Sequence, residues 1–140
     1  MCACHGRDPL LLIIDLIINN RYFLHHLIDW SITMAFFELR QYKIRPGKMA
    51  QWLDFMENEI IPFQVSKGAV ICGRFQGEED DSVYFWIRRF ESEAERERLY
   101  EAVYQSDFWT KEVAPKVGEL IDREAIQVQR VNATRLSTMQ

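Results

Sequence analysis

The sequence predicts an α+β domain with its elements in the order β-α-β-β-α-β, the ferredoxin-like arrangement. Three observations carry this. The run Phe36–Ile44 is rich in strand formers and ends in a Pro-Gly turn. Apolar residues then recur at helical spacing from Met49. After two further strand-like runs, Ser92-Glu93-Ala94-Glu95 writes the start of a second helix. Strands in this order form a four-stranded antiparallel sheet with both helices on one side, and the other side gets no cover from its own chain. Such a face is a liability unless something packs there, and two of these sheets face to face in a homodimer would cover it.

The first strand is Phe36 to Ile44, with Arg45-Pro46-Gly47 as the turn out of it. Met49, Trp52, Leu53, Met56 and Ile60 form the apolar stripe of the first helix, opposite Gln51, Asp54, Asn58 and Glu59. Pro62 is expected to kink or end that helix, because proline removes a donor and clashes with the preceding turn. Ala69 to Phe75 and Ser82 to Phe90 read as a hairpin around the acidic turn Gln76 to Asp81. The second helix runs from its capping box to about Tyr104. A further helical segment from Ser106 holds Trp109, Val113, Val117, Leu120 and Ile121, and Pro115 is expected to break it. Ala125 to Val131 is the last strand and residues 134–140 a loose tail.

The 140 residues suit one domain, with 48% apolar residues and a net charge of -4. No basic stripe is present, which argues against nucleic acid as a partner. The composition shifts near Met34, so the domain is read as 34–133, preceded by an extension, 1–33. That extension reads as disordered, or as lying upstream of a start at Met34; a short helix over Leu10 to Ile18 is the other reading. The apolar run there is too short for a membrane helix. Asp15 interrupts it and no cleavage motif follows, so no secretory signal or membrane partner is expected. Cys2, Cys4 and His5 lack the paired spacing of a metal site, and the odd cysteine count points to a reducing, cytoplasmic location.

Candidate site residues come from strand alternation. Phe37, Leu39 and Gln41 lie on one face of the first strand, with Glu38, Arg40 and Tyr42 on the other. If the apolar set faces the helices, then Val83, Phe85 and Ile87 join it. Glu38, Arg40, Tyr42, Tyr84, Trp86 and Arg88 then share the uncovered face, toward a dimer partner. Two readings of that set compete. Glu38 pairs with Arg40 or Arg88 to satisfy an interface, or the arginines and aromatics line a pocket for a small, partly apolar or aromatic acid. In the pocket reading Glu38 acts as a general base if burial raises its pKa, a lone carboxylate with no second catalytic group visible beside it.

No histidine occurs from Met34 onward, which removes histidine-dependent proton transfer and the commonest haem ligand. No phosphate-binding glycine loop and no metal spacing is present, so neither metal nor organic cofactor is expected. Cys72 reads as a packed strand residue, Trp52 and Trp109 as core or interface, and ESEAERER as a solvated helix face with Glu-Arg pairs.

The segment E-L-R-Q-Y, Glu38 to Tyr42, followed by R-P-G-K, Arg45 to Lys48, resembles the opening of NIPSNAP-family domains. W-I-R-R-F-E-S-E-A-E-R, Trp86 to Arg96, and S-D-F-W, Ser106 to Trp109, fit the same pattern, so the resemblance spans about Met34 to Ala133. It implies a dimeric α+β barrel, in which two ferredoxin-like units close a barrel between their sheets. It implies no agreed chemistry. Three functions stay open: a small-molecule binding domain, a cofactor-independent monooxygenase or isomerase, and a purely structural or protein-interaction module.

Overall fold

The computed structural model describes residues 35–140, and Met34–Gln140 forms one compact unit. The readings made for 1–33, including the Leu10 to Ile18 helix and the Cys2, Cys4 and His5 group, lie outside the described residues. Among the described residues no helix is long and apolar enough to cross a membrane.

The elements follow the expected order. Strand β1 (Phe36–Ile44) leads through a turn into helix α1 (Met49–Phe55), a π-helical turn (Met56–Ile60) and helix α2 (Ile61–Ser66). The hairpin β2 (Val70–Gln76) and β3 (Val83–Phe90) comes next. Helix α3 (Glu93–Tyr104), a second π-helical turn (Phe108–Val113), helix α4 (Ala114–Leu120) and β4 (Ile121–Asn132) complete the fold. The sheet order is β2-β3-β1-β4 and every neighbouring pair is antiparallel. This is the ferredoxin-like sheet.

Local chemistry sets the element ends. Gly47 takes φ 72° in the turn after β1, a conformation glycine adopts without steric cost. Ser92 Oγ accepts the Glu95 N–H at 3.1 Å. The Glu95 carboxylate reaches back one residue further than a standard capping box, to the Glu91 N–H at 2.7 Å.

Neither proline ends its helix. Each π turn closes with an N–H bonded five residues back, Ile61 to the Met56 carbonyl and Ala114 to the Trp109 carbonyl. The next residue in each case is the proline, Pro62 or Pro115. A change from four-residue to five-residue bonding disturbs the ladder at one place, and a residue without a donor fits there. The last strand begins at Ile121 rather than Ala125, because Ile121 pairs with Ile44.

The packing inverts one expectation. Glu38, Arg40 and Tyr42 do share a face with Tyr84, Trp86 and Arg88: they are direct cross-strand partners. That face is the one covered by the helices. Tyr42, Trp52, Tyr84 and Trp86 belong to one core cluster with Ile44, Met56, Ile60 and Ile121, and Phe36, Phe90 and Leu99 form a second. The charged residues can be satisfied only there, by tyrosines and an arginine of α3. Leu39 and Phe85, taken as helix-facing, line instead a shallow depression with Gln41, Gln127 and Gln129 on the opposite face. Cys72 is exposed, not packed: it is the extra residue of a β2 bulge, between the pairs Ile71–Arg88 and Gly73–Ile87.

Candidate functional site

The two core clusters are separated by an ionic knot. Glu38 is 1% exposed and Arg88 3%. Arg88 Nη2 donates to Glu38 Oε2 at 2.6 Å, and Arg96 Nε donates to Oε1 at 2.8 Å. The Tyr100 hydroxyl lies 3.1 and 2.9 Å from the two carboxylate oxygens. Arg40 Nη1 is more distant, 3.4 Å from Oε2 and 3.1 Å from the Tyr100 hydroxyl. Arg88 spends its other amine on Gln64 Oε1 at 3.2 Å and the Tyr104 hydroxyl at 2.9 Å.

Burial by itself raises the Glu38 carboxyl pKa, but the Arg88 charge and the bonds from Arg96, Arg88 and Tyr100 outweigh it and hold the group below the usual carboxylate range. Desolvation opposes the Arg88 charge, but the Tyr104 and Tyr100 hydroxyls and the Glu38 carboxylate outweigh it and raise its pKa. Glu38 is therefore a fixed anion and a poor general base.

Beside the knot, between sheet and helices, lies a cavity of about 130 Å³. Arg40, Tyr42 and Trp86 line it from the sheet. Trp52, Met56, Ile60 and Gln64 line it from the first helical run, and Tyr104, Trp109 and Val117 from the second. Both π turns contribute to this wall, through Met56, Ile60 and Trp109. A bulge in β4 supplies Ile126: Arg123 to Ile126 stand opposite the single residue Tyr42, between the pairs Gln41–Gln127 and Lys43–Asp122. Bulges and π turns re-aim side chains at the cost of regular pairing, and here they surround one space.

Four residues lining this cavity carry a buried donor with no partner among the described residues: Arg40 Nε, Trp52 Nε1, Gln64 Nε2 and Trp86 Nε1. An unsatisfied buried donor is costly, and it needs an acceptor from water or a ligand. The Arg40 guanidinium also sits 5.9 Å from the Tyr42 and Trp86 ring centres.

Of the six residues picked from the sequence, Arg40, Tyr42 and Trp86 line the cavity. Glu38 and Arg88 stand behind it in the knot. Tyr84 is buried against Trp52, with ring centres 5.7 Å apart, and does not reach the cavity. Four participants were missed. Arg96, Tyr100 and Tyr104 come from α3 and Gln64 from α2. Arg96 makes the expected helix-face pair with Glu93 at 2.7 Å, but its Nε serves Glu38, so the charged run is not wholly solvent-facing. The available signal was the spacing of Arg96, Tyr100 and Tyr104, four residues apart on one helix face. Trp52 and Trp109, read as core or interface, also line the cavity.

No curated protein matches the chain. Among solved structures it is similar to a NIPSNAP family protein with unknown function from Agrobacterium tumefaciens, at 23% identity and a TM-score of 0.69, covering 77% of this chain and 96% of that one. It is similar to a second NIPSNAP family protein of the same organism at 23% identity and 0.67, covering 74% and 90%. A NIPSNAP-like domain protein from Burkholderia xenovorans is similar at 19% and 0.67, covering 75% and 90%. These likenesses concern the fold. The NIPSNAP family model matches residues 37–134, well over half of the sequence, and the chain therefore belongs to the NIPSNAP family.

Proposed function

We propose that this protein binds a small, partly apolar or aromatic acid in the cavity between sheet and helices of each subunit. The observation that carries this is the state of Arg40. Arg88 has Glu38 at 2.6 Å, and Arg96 has both Glu38 and Glu93. Arg40 has a 3.1 Å bond to the Tyr100 hydroxyl and, for an anion, a 3.4 Å share of a carboxylate already bound twice, and it borders a cavity walled by indoles and aliphatic side chains. A guanidinium with spare donors recognises a carboxylate, and the rings match a flat or apolar body. The pocket differs from the one expected from the sequence: it lies under the helices, not inside a dimeric barrel.

The structural reading and the binding reading divide between residues. Glu38 and Arg88 hold the fold, while Arg40 is left for a ligand. A monooxygenase or isomerase using Glu38 as base is the weaker alternative, because that carboxylate is held at low proton affinity by its partners.

A homodimer through the outer sheet face is part of the same proposal. Phe75 on that face is 55% exposed, beside Leu39 and Phe85. The exposed free thiol of Cys72 supports a reducing, cytoplasmic setting.

Native mass spectrometry of the full chain tests ligand and dimer together. The expected species is a dimer that carries added mass when a small aromatic acid such as phenylacetate is supplied. A monomer would overturn the assembly, and a dimer that takes up no acid would overturn the binding site.

A further inference from the structure

We propose that the acid is one whose polar end carries only acceptors at two adjacent positions, a 2-oxo acid with a ring or short branched tail, and that Gln64 selects it. This rests on the binding site assigned to the cavity above.

The Gln64 side chain is 1% exposed, and its amide oxygen accepts from Arg88 Nη1 at 3.2 Å. A guanidinium has no acceptor, so Arg88 fixes which way the amide points. The NH₂ group is thereby left over, and it has no partner among the described residues. Arg40 Nε, Trp52 Nε1 and Trp86 Nε1, on residues lining the same cavity, are also donors without acceptors among the described residues. The one buried carboxylate among the described residues, Glu38, is already committed to Arg88, Arg96 and Tyr100.

The cavity thus offers surplus donors beside a positive charge and, among the described residues, keeps no free anion for a ligand cation. An ammonium group on the ligand would meet like charge and no carboxylate. A plain carboxylate pairing both its oxygens with the Arg40 fork would leave the Gln64 NH₂ without an acceptor. An oxo group on the next carbon supplies the second acceptor without adding a donor. The volume of about 130 Å³ suits a single ring or a branched chain behind that polar end.

The test uses three acids that differ only at the second carbon: phenylacetate, benzoylformate and phenylglycine. Each is titrated calorimetrically into the full-length wild-type protein. Benzoylformate is expected to bind at least about tenfold tighter than phenylacetate, the discrimination set by one buried donor left unpaired, and phenylglycine is expected to give no measurable binding. Equal affinity for phenylacetate and benzoylformate would overturn the second-acceptor assignment while leaving the acid site standing. Binding of phenylglycine as tight as benzoylformate would overturn the donor-only reading. No heat with any of the three would overturn this inference and the acid site together. In Gln64→Met, benzoylformate should fall to the affinity of phenylacetate; a preference kept in that variant would remove Gln64 from the role. If Gln64→Met does not fold, the wild-type ranking still decides the ligand class.

Discussion

Glu38 and Arg88 stand directly opposite each other on β1 and β3 and close a 2.6 Å ion pair under α3. The contact joins residues 50 positions apart in sequence and fixes the register of the two strands. Three guanidiniums converge on this one carboxylate. Removing it strands Arg40 and Arg88 and leaves Arg96 with Glu93 alone, whereas removing Arg88 leaves Glu38 with Arg96, Tyr100 and part of Arg40. Breaking a buried pair costs about 3–5 kcal/mol. Glu38→Gln is expected near the top of that range and Arg88→Met near the bottom. Urea unfolding midpoints check the order, and an unchanged midpoint in Glu38→Gln would mean the knot contributes nothing to the fold.

The same pair sets a pH dependence. The Glu38 carboxyl in the folded state lies below its ordinary value, by the Arg88 charge and the bonds around it. Its contribution to stability is therefore fully present above the unfolded carboxylate pKa, about 4.3, and is lost as pH falls through the lower folded value. The stability gap between wild type and Glu38→Gln should be constant from pH 8 to 6 and narrow below pH 4.5. A gap that widens in acid would show that the folded Glu38 carboxyl lies above, not below, its ordinary value.

Strand order, the hairpin and the capped helix were legible because each has a local signal: a turn dipeptide, an apolar period or a cap. The grouping of Glu38, Arg40 and Tyr42 with Tyr84, Trp86 and Arg88 was legible too, since alternation fixes it. Which side that group faces was not. Phe37, Leu39, Val83, Phe85 and Ile87 look more like a core than a row containing Glu38 and Arg88. The choice is made by partners far along the chain. Tyr100, Tyr104, Gln64 and Arg96 satisfy the charges, and Trp52 packs on Tyr42 and Tyr84. Alternation carries no information about such long-range satisfaction.

Arg40 should separate from Arg88 in its effects. Its side chain is 13% exposed, and its nearest carboxylate oxygen is 3.4 Å away. Arg40→Met removes the weakest member of the knot and leaves an apolar chain of similar length. We expect a stability change below about 1 kcal/mol, as for weak or exposed pairs, together with loss of small-acid binding by at least about a hundredfold, the worth of a charge-assisted hydrogen-bond pair. Urea unfolding and calorimetric titration of the same preparation read both quantities. Retained binding would move the anchor away from Arg40.

The two prolines test the π turns. A proline inside a regular α-helix costs about 3 kcal/mol, so replacing it with alanine should stabilise by that order. Here Pro62 follows an N–H already bonded five residues back, at the start of α2. Pro62→Ala is expected instead to destabilise by about 0.4–1 kcal/mol, because the unfolded chain gains freedom and the helix gains little. A rise in thermal midpoint by many degrees would show that Pro62 strains its helix.

The outer face of the sheet gives the last prediction. Leu39 and Phe85 border a depression on the side away from the charged knot, and Phe75 and Val70 are exposed on β2. None of them touches Glu38, Arg88 or the cavity residues through the hydrogen bonds described above. A charge placed at Phe85 would be buried without a partner if two sheets meet there, and would remain in water if they do not. Burying an unpaired charge is prohibitive for an interface, so Phe85→Glu should convert a dimer to a monomer in sedimentation velocity. The secondary structure of the monomer, read by circular dichroism, should be retained, because the ionic knot and both core clusters lie on the other side of the sheet. A Phe85→Glu protein that still sediments as a dimer would place the interface on another surface and leave this face to a different partner.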